Sequence, residues 1–125
     1  MRLETMSPNP VWSADAYGET VETLRAADDV TYKVWGGDWC KDCRAQLPDF
    51  AAALRAADVP DERIEDFPVE KDEDGNKVGP GVEEYGVEYI PTIVVERGGE
   101  ELVRFVESED VPAAVYVADA LRALD

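Results

Sequence analysis

The sequence predicts an α/β fold, and three observations carry that prediction. Helical and strand patterns alternate along the 125 residues in the order helix, strand, helix, strand, short helix, strand pair, helix, as layered α/β architectures require. An apolar run rich in strand-forming residues, Val30 to Trp35, passes through Gly36-Gly37 directly into a helical pattern. Two later apolar runs are separated by Gly98-Gly99, the mark of a tight β-hairpin.

Taken in order, residues 1–12 read as a loosely ordered lead-in, broken by Pro8 and Pro10, and residues 13–125 as one domain. Ser13 is the expected N-cap of a helix from Ala14 to about Ala27, with Ala16, Tyr17, Val21, Leu24 and Ala27 at helical spacing. Asp28-Asp29 ends it, and Val30–Trp35 is the first strand. The next helix runs from Arg44 to Ala57. Pro48 falls inside its pattern, removes one hydrogen bond and should kink it near Arg44 to Leu47. Arg63 to Glu70 is a weaker strand, placed at a sheet edge because Pro68 cannot donate to a ladder. Asp72 to Gly81 reads as a polar, glycine-rich loop and Val82 to Tyr85 as a helix-like turn. Ile93–Glu96 and Leu102–Val106 form the hairpin. A closing helix starts from Ser108 or Asp110 as N-cap and carries the apolar stripe Val111, Ala114, Val115, Ala118, Leu121 and Leu124.

Composition excludes several functions. With 29 acidic and 12 basic residues the net charge is −17, a surface that repels nucleic acid and anionic lipid headgroups. The acids are spread along the chain, and the only lysines are Lys33, Lys41, Lys71 and Lys77. This balance resembles proteins of a salt-rich cytoplasm, where a Debye length of about 3 Å at 1 M salt screens self-repulsion; an acidic face for a basic partner is the rival reading. No apolar run approaches the roughly 18 residues of a membrane span. Met1 to Pro8 has no apolar signal core, so a cytoplasmic location is expected. The chain has no histidine, which removes Ser-His and Cys-His catalysis, His-ligated metals and CxxCH haem attachment. A zinc site would need ligands beyond the two cysteines, and no metal is expected. Glu70-x-Asp72-x-Asp74-Gly75-Asn76 resembles the first half of an EF-hand loop. Its twelfth position is Gly81 instead of a bidentate Glu, and Lys77 stands at the eighth. A solvated acidic turn is the better reading. Asp61, Glu62, Glu65 and Asp66 likewise read as charged surface.

Chemistry concentrates in Trp39-Cys40-Lys41-Asp42-Cys43, which holds the only two cysteines. With Cys40 at a helix N-terminus, the two thiols share one face, their Cβ atoms roughly 5–6 Å apart. A disulfide wants about 3.8 Å, so a slight tightening of the first turn closes one. Helix-end amides and the helix dipole favour a Cys40 thiolate. The pair reads as a switch that opens and closes.

These residues, with others, resemble the thioredoxin superfamily. Trp39-Cys40-x-x-Cys43 is similar to its active-site WCxxC, and Pro48 falls where thioredoxins carry a helix-kinking proline. Pro80-Gly81, Tyr85-Gly86-Val87 and Ile90-Pro91-Thr92 resemble the segment ending in the thioredoxin cis-proline, and Gly98-Gly99 the hairpin turn beyond it. The resemblance covers roughly residues 14–125. It implies a central mixed sheet of about four strands flanked by helices on both faces. It implies a protein-disulfide reductase in which Cys40 is the nucleophile and Cys43 the resolving thiol. Pro91 would be cis, Ile90 would offer its backbone to an extended substrate, and Trp39, with Lys41 and Asp42, would line the substrate groove. The redox-active disulfide replaces any bound cofactor. Expected partners are protein disulfides and, as electron donor, a thioredoxin reductase or a low-molecular-weight thiol, with the chain a monomer.

Departures from the family pattern narrow the reading. Lys41-Asp42 stands where familiar reductases have Gly-Pro. Lys41 should favour the Cys40 thiolate, and Asp42 should oppose ionisation of Cys43. The buried aspartate that thioredoxins place six residues before the first cysteine is Val34 here, leaving Asp42 or Lys33 as substitutes in proton transfer. Glu107, where a glycine is usual, and nearby Glu88 would select against acidic partners. Two other functions use the same residues: a redox-sensing or redox-inert binding module, and an oxidase or isomerase. The potential of the cysteine couple separates them.

Overall fold

The computed structural model describes residues 2–107 and 109–124. Its core is a four-stranded mixed sheet of order β2-β1-β5-β6. The central pair is β1 (Thr31–Gly36) and β5 (Thr92–Arg97), antiparallel to each other; β2 (Ile64–Pro68) runs parallel to β1, and β6 (Glu100–Val106) antiparallel to β5. The parallel β1–β2 pair is joined through α2 (Lys41–Ala56), the crossover that parallel neighbours need. Pro68 ends the edge strand β2, where its missing N–H costs no ladder bond. Gly98 and Gly99 join β5 to β6 at φ 59° and 85°, a backbone that side chains other than glycine rarely adopt.

Side-chain alternation separates the two faces of the sheet. Tyr32, Val34, Ile93, Val95, Val103 and Phe105 share one face in register. Tyr32 meets Phe50 of α2, and Phe105 meets Tyr116 of α3 (Ala113–Leu124), both edge-on. The helix α1 (Gly18–Ala26) packs on α2 and α3, its Val21 and Leu24 buried. Lys33, Trp35, Val94 and Glu96 face the other way. There the cover is the turn-rich segment 79–90: Trp35 packs against Tyr85 and donates its indole N–H to the Pro80 carbonyl at 2.8 Å. Val82 to Tyr85 is a turn closed by Tyr85 N–H···O Gly81 and Val87 N–H···O Val82, without an α-helix.

Several elements differ from the sequence expectations. The lead-in is not loose between Leu3 and Met6. Leu3 and Met6 are buried, a 3-10 turn spans Glu4–Met6, and the Leu3 N–H donates to Asp66 at 2.6 Å. Asp66, expected at the charged surface, is therefore buried; it lies beside Val34 in register. Ser13 is not a helix N-cap: Ala14 stands at the start of a 3-10 turn, Asp15–Tyr17, the Ser13 hydroxyl accepts the Ala16 N–H, and α1 begins only at Gly18. The loop 72–81 contains half of a small hairpin, β3 (Glu70–Lys71) against β4 (Lys77–Val78). Asp72 closes it by accepting the amides of Asp74 and Asn76. The last helix starts at Ala113, after Pro112, whose carbonyl accepts the Tyr116 N–H. Asp110 lies outside the helix, and Ser108 lies outside the described residues. The buried stripe is Ala113, Ala114, Val117, Ala118 and Leu121, while Val111 and Leu124 are exposed.

The end of α2 yields a stability prediction. Asp58 sits at φ 60° just past the helix, with Asp58 N–H···O Arg55 and Val59 N–H···O Leu54, the double bond pattern of a Schellman cap. A side chain in this left-handed region costs about 1–2 kcal/mol, partly offset by the roughly 0.5–1 kcal/mol that glycine loses in ordering. The Asp58–Arg25 pair, 3.8 Å apart and exposed, contributes little. Asp58→Gly should thus raise the unfolding free energy by about 0.5 kcal/mol, read as a higher urea midpoint at unchanged slope.

Candidate active site

Cys40 is the N-cap of α2, in extended conformation (φ −88°, ψ 123°), one residue before the helix begins. Capping needs a side-chain acceptor for a free helix amide, and here the acceptor is sulfur: Cys40 Sγ accepts the Cys43 N–H at 3.2 Å. On its other side Cys40 Sγ lies 3.7 Å from the Ile90 carbonyl oxygen, and the Ile90–Pro91 peptide is cis. Both cysteines are free thiols. Cys40 is 8 % exposed and Cys43 fully buried, so the first sulfur is the one nearer solvent.

The loop before Cys40 is fastened at several points. Asp38 accepts the amides of Glu4 and Thr5, and its carbonyl accepts the Arg44 guanidinium. Val69 donates to the Gly36 carbonyl at 2.8 Å and accepts the Trp39 indole N–H at 2.9 Å. A Cβ at Gly37 would stand 2.6 Å from the Trp39 ring, so only glycine lets the indole fold back over the loop. Trp39 remains 43 % exposed beside Cys40.

Cys43 sits behind, where the site of a Gly36 Cβ meets Leu47, Leu3 and Cys43 Sγ. Burial pushes its thiol far above the ordinary cysteine range; the hydrogen bond with Cys40 adds to this, and the Asp42 charge pushes the same way. Lys41 and Asp42 are exposed on the first turn. Lys33 is not near this thiol. It projects from the opposite face of β1 and bonds Tyr85 Oη at 2.8 Å and Glu96 at 3.0 Å, which removes it as a substitute in Cys43 proton transfer. Glu107 has φ 58° and donates its amide to the Pro91 carbonyl at 2.7 Å, so this acid does border the Pro91 segment.

The structure thus brings Trp39, Cys40, Cys43, Ile90 and Pro91 together, with Lys41 and Asp42 at the rim. Sequence reasoning missed the contributions of Val69, Leu3 and Asp66. The alternation Ile64-x-Asp66 beside a β-strand was the available signal for the last. A cleft of about 660 Å³ lies elsewhere, under the N-terminal segment, lined among others by Leu3, Met6, Pro8, Arg55 and Val59. Among the described residues no three His, Cys, Asp or Glu side chains converge as a metal site, and no helix is long and apolar enough to cross a membrane.

No protein-family model matches the sequence, and no curated protein matches it. Solved structures do. A mutant thioredoxin from Halobacterium salinarum is 20% identical over 98% of this chain and 94% of its own, with a TM-score of 0.51. Thioredoxin O2 from Arabidopsis thaliana, in its oxidized state, is 17% identical over 98% of this chain and 97% of its own, with a TM-score of 0.50. A protein of unknown function from Pseudomonas aeruginosa is 21% identical over 89% of this chain and 74% of its own, with a TM-score of 0.53. At such identities the likeness is one of fold, and on it the chain has the thioredoxin fold, with Cys40 capping the helix that follows its first strand.

Proposed function

We propose that this protein is a thiol–disulfide oxidoreductase that reduces protein disulfides in the cytoplasm, as a monomer and without a bound cofactor. The observation that supports this best is the setting of Cys40 Sγ, between the Cys43 amide at 3.2 Å and the Ile90 carbonyl at 3.7 Å, with a second thiol buried one turn behind it. The Cys40 thiolate attacks one sulfur of a substrate disulfide, forming a mixed disulfide and releasing the first substrate thiolate. Cys43 then loses its proton and attacks Cys40 Sγ. The Cys40–Cys43 bond forms, the mixed disulfide breaks and the second substrate thiolate leaves. Two electrons pass to the substrate, and a thioredoxin reductase or a low-molecular-weight thiol returns them. Trp39 forms one wall of the groove, Lys41 and Asp42 its rim, and the Ile90–Pro91 backbone the surface along which an extended substrate lies.

The second step should depend on pH. Burial, which holds the Cys43 thiol protonated, persists in the mixed disulfide even though the bond to a Cys40 thiolate is gone. Below the Cys43 pKa its thiolate fraction rises about tenfold per pH unit, so release from the mixed disulfide should accelerate as pH rises. Cys43→Ser should halt the reaction at the mixed disulfide. The test is reaction of the pre-reduced variant, freed of added thiol, with a model disulfide protein, followed by non-reducing gels and mass spectrometry. Absence of a trapped adduct on Cys40 would remove the assignment.

A further inference from the structure

The lysines of this chain are unevenly placed. Lys33 is committed to Glu96 and Tyr85, whereas Lys71 and Lys77 stand directly opposite each other in the register of the β3–β4 hairpin. Paired positions of this kind keep side chains within roughly 4.5–5.5 Å at Cβ, and like charges there repel. A chain with 29 acidic residues has ample means to neutralise them. Yet none of the ion pairs among the described residues involves either lysine. Each ammonium instead lies over an exposed aromatic ring, Lys71 at 5.0 Å from the centroid of Trp39 and Lys77 at 6.0 Å from that of Tyr89. Trp39 directly precedes Cys40. Tyr89 directly precedes Ile90, whose carbonyl faces Cys40 Sγ. The hairpin therefore lays one ammonium beside each of the two segments that meet at the reactive sulfur.

Among the described residues no acid forms an ion pair with either lysine. Asp72 is occupied by the amides of Asp74 and Asn76, and Asp38 by those of Glu4 and Thr5. Glu70, the strand neighbour of Lys71, projects to the opposite face of the hairpin. Glu107 belongs to the Pro91 segment, through its amide. The groove thus carries Glu107 at the Pro91 segment, Lys41 and Asp42 at its rim, which offset each other, and two further bases at the hairpin.

We propose that Lys71 and Lys77, held on Trp39 and Tyr89, are a carboxylate-recognition pair that selects disulfide substrates bearing acidic groups close to the reacting sulfurs. This rests on the redox reading above and adds which substrates it favours. It reverses, for the part of the substrate crossing the hairpin, the expectation drawn from Glu88 and Glu107.

The test uses the full chain with dithiothreitol as electron source and three disulfide-linked peptides of equal length, flanked by Glu, Gln or Lys. Rates are taken at the lowest salt at which circular dichroism shows the native fold, and again at molar salt. The Glu-flanked peptide should show kcat/KM about five- to tenfold above the Gln-flanked one. That preference should collapse at 1 M salt, where the Debye length is about 3 Å. Lys71→Gln combined with Lys77→Gln should abolish or invert the Glu preference, because Glu107 and the net charge of −17 then act unopposed, and the corresponding double arginine variant should keep the ranking. Glutathione disulfide serves as a small carboxylate-bearing probe. Loss of its reduction together with the Glu preference means that free carboxylates suffice, and loss of the peptide preference alone assigns the pair to polypeptide substrates. Equal reduction of all three peptides by the parent protein, or a Glu preference that survives in the double glutamine variant, overturns the lysine pair and leaves the redox reading standing. No acceleration of any of them above the rate with dithiothreitol alone overturns both.

Discussion

Cys40→Ser should lower disulfide reduction by roughly a thousandfold or more, to the background rate of the dithiol alone. The reason is chemical. The attacking species is a thiolate, and a serine hydroxyl at the same place stays protonated at any working pH. The geometry around the atom should survive, because an oxygen can accept the Cys43 N–H that Cys40 Sγ accepts at 3.2 Å, and serine is itself a strong N-cap. Thermal unfolding of the variant should therefore stay close to that of the parent. This separates lost chemistry from lost fold. Undiminished reduction by Cys40→Ser would sink the oxidoreductase reading. Partner binding indifferent to the redox state of the cysteines would favour the binding module built on the same groove.

Lys33→Met should destabilise the fold by about 2–3 kcal/mol, the largest effect expected far from the cysteines. Lys33 Nζ lies 3.0 Å from Glu96 and 2.8 Å from Tyr85 Oη, and Tyr85 Oη donates to the second Glu96 oxygen at 2.7 Å. The side chains of Lys33 and Glu96 are only 21% and 11% exposed, so removing the ammonium leaves a largely buried carboxylate without its counter-charge. The hydrogen bond with Tyr85, and then that with Glu96, raises the Lys33 pKa above its ordinary value of about 10.5. For a group raised on folding, the stabilisation is complete below the unfolded-state pKa and is lost as pH rises through the folded-state one. A urea titration at pH 7 therefore reads the whole effect, and the difference between parent and variant should shrink only in strong alkali. Lys33→Met with Glu96→Leu should recover most of the loss, since a well-packed apolar pair of similar volume can replace a buried ion pair at little cost. A Lys33→Met variant as stable as the parent would show that the network contributes no net stability.

Legibility followed the range of the interactions. Cys40 at a helix N-terminus, Pro48 within that helix, Pro68 at a sheet edge and the Gly98-Gly99 turn could all be read because each obeys a rule spanning a few residues. The N-terminal segment could not. Leu3 is held by Asp66, 63 positions away, and Glu4 and Thr5 by Asp38. Asp66 read as charged surface, and nothing in the local sequence sets Asp38 apart. The β3–β4 hairpin was hidden for another reason: its strands are two residues each, and no apolar alternation marks them. In the last helix Ala114, Ala118 and Leu121 lie on the buried stripe as expected, and the ends of the expected stripe do not. Val117 is buried there, Val111 lies before the helix start at Ala113 and Leu124 at its last turn, and both are exposed.

By itself, then, the sequence determined the three long helices and the four strands of the main sheet in their order, the cap that carries a cysteine and the turn that closes the hairpin, because periodicity, caps and turn residues act locally along the chain. Tertiary structure alone decided which face of β1 Lys33 occupies and that it binds Glu96 and Tyr85. It also decided that Lys71 and Lys77 rest on Trp39 and Tyr89. These depend on strand register and on contacts between segments far apart in the chain, where a shift of one residue would turn each side chain to the opposite face.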